Sequence, residues 1–359
     1  MRWPWQRRSA GDLLAVSWLD QTLAYVRGRP MADGTCQVLG MGVERQGSDS
    51  LAEFARRLEG CGLKGCEVRV MLRPQQYQWL QIEAPGVAPE ELRSAARFQI
   101  REMIDTHLDD VTIDVMRVGD GQHKGPSHLF VVAAPNLAVH ACDQLAQALY
   151  WSVPVVDVQE TAQRNLQNAL ARDKGFAGRA TAALVLGDET QAVLTICANE
   201  ELFYTRRLEV PQGFLAGQWE VAHAAGADAY TPVGEYVPDY GVGGVAHGSD
   251  YSATVAARPA ASEAVSADNE RAQRLLVEIQ RSLDLWERSW SNLPLAAVQV
   301  HAADRSGDFA QWLSRELGQG VQAMDVAAYF PGFSGDFAGD AAMCWPLLGL
   351  LLRAEARKL

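Results

Sequence analysis

The sequence predicts an α/β protein of two related lobes, and three observations carry that prediction. An apolar run, a tight polar interruption and an alternating apolar segment occur twice, at 13–27 (LLAVSWLDQTLAYVR) and 182–194 (AALVLGDETQAVL), about 170 residues apart. Each copy reads as a β-hairpin whose first strand is buried on both faces, and so wide a spacing suits two half-molecules rather than a solenoid. The second observation is length: 359 residues exceed the size at which one hydrophobic core usually stops growing. The third is an apolar content of 48%, that of an ordinary globular chain with enough side chains to fill two cores.

The elements follow in order. After the first hairpin, 50–60 reads as a short helix and 67–73 (EVRVMLR) as a strand. A second strand lies at 76–83 (QYQWLQIE). In 89–105 (PEELRSAARFQIREMID), Pro89 sits at a helix start and Glu90 and Glu91 face the positive end of the helix dipole, while Leu92, Ala96, Ile100 and Met103 fall on one face. Residues 111–118 (VTIDVMRV) return as an alternating strand with Thr112, Asp114 and Arg117 on its polar side. The nearly continuous apolar run 128–134 (HLFVVAA) reads as a central strand. Asn136 is placed to cap the helix through Tyr150, and a strand at 153–158 and a helix to Arg172 close the first half.

The second half opens with ATAALVLG, QAVLTICA and ELFYTRRLEV, three strands, with a turn at Asn199–Glu201 between the last two. Composition changes at 226–268, which holds six glycines and ten alanines but no Leu, Ile, Phe, Trp or Lys. So little apolar surface does not offset the entropy of ordering a backbone, and the segment reads as a poorly folded insertion. Asp268 is then placed to cap a helix whose Leu275, Leu276, Ile279, Leu283, Trp286 and Trp290 form a broad apolar stripe, the mark of a core helix. A strand at 295–300, a helix at 308–317 and an apolar helix near 344–352 complete the chain.

Charge and motifs exclude several functions. A net charge of −12 opposes a broad nucleic-acid surface. The first eight residues, MRWPWQRR, join two tryptophans to three arginines. They read either as a flexible tail or as a peripheral foot on an anionic membrane surface. No apolar signal-peptide core follows them, and the longest apolar run, 341–352, is 12 residues and contains Pro346 and Gly349, too short to span a bilayer. A cytosolic protein is expected. Six cysteines without a CxxC pair read as ordinary thiols, and no metal is expected. Phosphate-binding GxxxxGK[ST], dinucleotide-binding GxGxxG, HExxH and GxSxG motifs are all missing. Lone histidines such as His107 and His301 read as structural or solvated, and Asp105, Asp109, Asp110 and Asp114 as a solvated turn without the glycine and glutamate of a calcium loop.

Three segments in this order resemble a known family, the actin-like pilus assembly proteins of the PilM type, nearest their MSHA-biogenesis, MshI-type branch. They are PEELRSAARFQIREMIDTHLDDVTIDVMRV, HLFVVAAPN and IQRSLDLWE. The resemblance implies an actin-like (ribonuclease H-like) fold with an inserted subdomain IC. It divides the chain into a tail (1–9), a first lobe IA (10–73 and 128–178), subdomain IC (74–127), a second lobe IIA (179–225 and 291–359) and a reduced IIB (226–290) carrying the Gly/Ala-rich segment and the helix 268–290. It also implies a cytoplasmic scaffold, peripheral at the inner membrane, that binds the cytosolic tail of a PilN-like (MshJ-like) membrane protein in a groove between IA and IC. Trp79, Phe98 and Met103 are the groove candidates, each equally readable as core.

The same resemblance implies that the nucleotide site has eroded. An actin-type site needs an aspartate and a glycine in the first hairpin, so that a carboxylate holds hydrated magnesium while backbone approaches phosphate; the matching positions are Ser17 and Leu19. The second hairpin offers Leu186 and Asp188, and His301, Ala302 and Ala303 stand where consecutive glycines would admit the base. A register shift of one residue would bring Asp20 or Asp188 nearer the metal position. The expectation is no catalytic residue and no cofactor; the alternative is an actin-like ATPase holding Mg-ATP. A third reading, the cytoplasmic part of a type II secretion protein, expects a transmembrane helix after the last lobe.

Overall fold

The structure is a computed structural model and describes residues 11–121, 127–176, 178–187, 190–217, 260–333 and 340–353. The first lobe opens with the expected hairpin, β1 (Leu13–Leu19) and β2 (Thr22–Pro30), turning through Asp20 and Gln21 at φ 48° and 59°. Two left-handed residues match the twist of paired strands, as a two-residue hairpin loop requires. A strand the sequence reading lacks, β3 (Cys36–Arg45), pairs with β2. Its Gly40 and Gly42 break the alternation that would mark it, and Gly42 leaves room for the Tyr25 ring. Helix α1 (Leu51–Gly60) begins in a capping box, Ser50 Oγ accepting from the Glu53 amide and the Glu53 carboxylate accepting from the Ser50 amide. Strand β4 (Glu67–Leu72) lies parallel to β1.

The chain then leaves the lobe for β5 (Gln78–Glu83), α2 (Leu92–Gln99), β6 (Val111–Arg117) and β7 (His128–Pro135). These strands form a separate sheet in the order β5-β7-β6. The apolar strand at 128–134 is central, as its composition predicts, but central to this inserted sheet. The boundary expected at 127/128 therefore moves: β7 belongs to the insertion and does not re-enter the first lobe. Asn136 caps nothing; its amide bridges the Thr112 hydroxyl and the Asp109 carbonyl, and α3 (Asn136–Leu149) starts with it. Strand β8 (Ser152–Val158) and α4 (Gln159–Asp173) complete the first half.

The second lobe repeats the design with β9 (Ala180–Leu186), β10 (Gln191–Ala198), β11 (Glu201–Glu209), α5 (Ala260–Ser289), β12 (Leu295–His301), α6 (Ser306–Leu317) and β13 (Val321–Ala323). The sheets run β3-β2-β1-β4-β8 and β11-β10-β9-β12-β13, so both halves share one order, with antiparallel pairing on the hairpin side and parallel pairing beyond it. Asp268 lies inside α5 rather than capping it. Leu275, Leu276, Ile279, Leu283 and Trp286 pack into the core of the second lobe itself, so this helix is no separate subdomain. Most of the segment expected at 226–268, and the tail 1–9, lie outside the described residues.

A third core lies between the two sheets. There α4 crosses the C-terminal α8 (Leu348–Leu351) while α7 (Asp340–Cys344) packs on β2 and β3, joining Ala15 and Val26 of the first sheet to Ala183 and Val185 of the second. Pro346 breaks the expected single C-terminal helix with one 3₁₀ turn. At the crossing a Cβ on Gly349 would fall 1.9 Å from the Ala162 carbonyl oxygen, so only glycine lets the helices meet.

Candidate functional site

Strand β1 lies parallel to β4 and β9 parallel to β12, and open α/β sheets bind ligands at the carboxyl ends of such strands. Ser17, near the end of β1, is buried and its hydroxyl accepts a hydrogen bond of 2.9 Å from Nε of Arg73, just beyond β4. Arg73 is itself only 7% exposed, and it also donates to the Met343 carbonyl of α7. Two residues on, the Trp345 indole stacks on the His301 imidazole at 3.9 Å and 12°. Burial pushes the His301 imidazole down to about 3, so it is neutral at physiological pH. The segment from Met343 to Trp345 thus bridges the ends of both sheets, held to the first by a guanidinium and to the second by ring stacking.

A second polar group sits beside it. The Tyr77 hydroxyl donates to the fully buried carboxylate of Glu160 on α4 and accepts from the Gln159 amide at 3.2 Å. Burial and the adjacent carboxylate hold the phenol well above its ordinary range. Arg207 of β11 closes the group, donating from Nε to Glu160 at 3.0 Å and from Nη1 to the Pro74 carbonyl at 2.7 Å, its guanidinium 4.5 Å from the Tyr77 ring centroid. Deeper along α4, Gln163 Nε2 donates to the Ala183 and Val193 carbonyls and to Thr195 Oγ1, and Gln167 bonds Thr181 and Thr195. At successive i, i+4 positions these glutamines stitch the helix to the second sheet. Near the C-terminus, Arg353 pairs with the buried Asp157, and Arg69 caps the Leu350 and Arg353 carbonyls.

At Ser17 the described residues offer a magnesium nucleotide a guanidinium-bound hydroxyl and no carboxylate. A hydroxyl already engaged by a guanidinium cannot orient hydrated Mg²⁺, and the guanidinium brings the wrong charge to a cation site. Leu19 is followed by an exposed Asp20 in the turn, while Leu186, His301 and Ala302 are buried and Ala303 adopts φ 49°. Asp188 lies outside the described residues. Among the described residues no cluster of His, Cys, Asp or Glu can hold a metal; the Asp105–Asp114 set is exposed, with Asp109 and Asp114 paired to Arg97 and Arg93.

The three groove candidates do not meet. On β5, Leu80 and Ile82 face α2, whereas Trp79 lies on the opposite face, 5.1 Å from the Phe130 ring. Phe98 and Met103 stand on and just after α2, exposed at 75% and 48%. The inserted sheet therefore separates them from Trp79. Met103 also leaves the buried face of Leu92, Ala96 and Ile100, because the helix tightens to 3₁₀ geometry after Gln99. Sequence reading missed Arg73, Tyr77, Glu160, Arg207 and Trp345. The one available signal was a charged Arg73 directly after a buried strand, at the carboxyl end where ligands bind.

The chain aligns with a solved PilM-PilN type IV pilus biogenesis complex at TM-score 0.63, with 15% identity over 95% of this chain and 99% of that one. The fold is actin-like. Looser matches are the cytoplasmic domain of EpsL, an inner-membrane component of the type II secretion system of Vibrio cholerae (TM-score 0.39, 18% identity, 63% and 80% of the two chains), and a Bacteroides thetaiotaomicron protein with an actin-like ATPase fold (0.44, 9%, 94% and 95%). No protein-family model and no curated protein matches the sequence. Among the described residues no helix is long and apolar enough to cross a membrane.

Proposed function

We propose that this actin-like chain is a non-catalytic scaffold of a type IV pilus assembly machine, of the MshI type. In this reading it works on the cytoplasmic side of the inner membrane, receives the cytosolic tail of a PilN-like, MshJ-like protein, and needs no nucleotide. The observation that carries the non-catalytic part is the buried Arg73 guanidinium on Ser17, an internal cation where an actin-type site places a carboxylate and its magnesium. The likeness in fold to a PilM-PilN complex supports the assembly role. An extended tail entering between the first lobe and the inserted subdomain would meet the half-buried Trp79, which packs against both lobes. Main-chain hydrogen bonds from a sheet edge and a side-chain pocket beside it would hold the tail.

The test is a calorimetric titration with Mg-ATP, then with a peptide copy of the partner's tail. No heat for ATP and micromolar peptide binding are expected. ATP binding would overturn the pseudo-enzyme reading, and a silent peptide the adaptor reading.

A further inference from the structure

A subdomain inserted on two connections is free to swing unless a sizeable apolar interface holds it. Here the holding contacts come from both lobes: Trp79, Val132 and Ala134 pack against the core of the first, and the opposite lobe supplies a second set. Phe130 of β7 packs against Cys197 and Leu202 of the β10–β11 hairpin, with Trp79, Met116 and Val118 around them. The Gly119 amide donates to the Leu202 carbonyl at 2.8 Å, and Asn199 donates to Asp120 at 2.8 Å, so the loop after β6 is tied to the hairpin tip. Gly119 has φ 68°, and a Cβ there would stand 2.6 Å from the Phe203 ring, so the approach needs glycine twice over. At the hairpin's other end, Arg207 bonds Pro74 and stacks on Tyr77, both in the connection that leads into the inserted subdomain.

We propose that the β10–β11 hairpin is a clasp that fixes the inserted subdomain to the second lobe, with Arg207 and the Gly119–Leu202 bond as its two fastenings. Glu160 of α4 holds Arg207 in place, so the first lobe, the second lobe and the insertion meet at one ion pair. The clasp ties the orientation of the insertion to the second lobe as well as to the first, to which alone it is covalently joined. This inference stands whether or not the chain serves a pilus.

Hydrogen exchange on the full chain tests it, with Arg207→Lys and Gly119→Ala opening the two fastenings separately. Lysine keeps the charge but lacks the planar fork that reaches Glu160 and Pro74 from separate nitrogens while stacking on Tyr77. Amides of β5, β6 and β7 should exchange roughly tenfold faster or more in each variant, with β1 and β2 unchanged. A disulfide between Asp120→Cys and Asn199→Cys, formed in the Arg207→Lys background, should restore slow exchange. Unchanged protection in β5–β7, equal acceleration in β1 and β2, or failure of the cross-link to restore it would each overturn the proposal. If Arg207→Lys does not fold, Gly119→Ala decides the question, since it touches neither Glu160 nor Tyr77.

Discussion

The neutral His301 gives the chain a specific acid sensitivity. Its imidazole is 9% exposed and stacked on Trp345, and burial lowers it from 6.5 to about 3. In the unfolded chain the same group protonates near its ordinary value, so acid favours the unfolded state. The contribution is complete above pH 6.5 and is lost as pH falls toward 3. Well inside that window each pH unit costs about 1.4 kcal/mol, and the loss between pH 6.5 and 4.5 is roughly 2 kcal/mol. Replacing His301 by Asn removes the titration and the stack together: the variant should be less stable at pH 7 but lose less on acidification. Urea unfolding of both proteins at several pH values, followed by tryptophan fluorescence, gives the two slopes. Because the carboxylates titrate equally in both, their difference isolates His301. Parallel slopes would refute the reasoning.

Other outcomes follow from the same geometry. Gly349→Ala drives a methyl into the α4 backbone and should cost about 3 kcal/mol or more by denaturant unfolding; a near-neutral result would contradict the close crossing. Arg353→Ala leaves Asp157 buried without its cation and should cost about 3–5 kcal/mol, whereas Arg57→Ala, which breaks exposed ion pairs and a contact over the Phe54 ring, should cost no more than about 1 kcal/mol. Gln167→Leu strips partners from Thr181 and Thr195 and should cost about 1–3 kcal/mol, measured against Gln163→Leu to ask whether the two act additively. Phe98→Ser, at an exposed position, should leave the melting temperature unchanged; a marked fall would mean that Phe98 is covered.

Local pattern was sufficient for most elements. Both hairpins, the strand at 67–72 and the apolar stripe of α5 were legible because burial on both faces or at helical spacing writes itself into consecutive residues. The duplication, read from two apolar runs, already fixed a two-lobed α/β chain. Strand β3 was not legible, since Gly40 and Gly42 interrupt its alternation, and Gly42 serves the Tyr25 ring and the helix beside it instead. Its counterpart β11 was, and the internal repeat was the one clue that a third strand should follow the first hairpin as well.

What the sequence alone determined was the repeated architecture and the residue types at Ser17, Leu19 and Leu186, none of them a carboxylate or a glycine. Which lobe claims β7, which face receives Trp79 and what fills the cleft were decided only by tertiary structure. The reason is that strand pairing, and contacts such as Arg73 with Ser17 or Arg207 with Glu160, join residues tens of positions apart. No local periodicity records such a partner: a single arginine after a strand looks alike in sequence whether it faces water or lies buried against the other wall of a cleft.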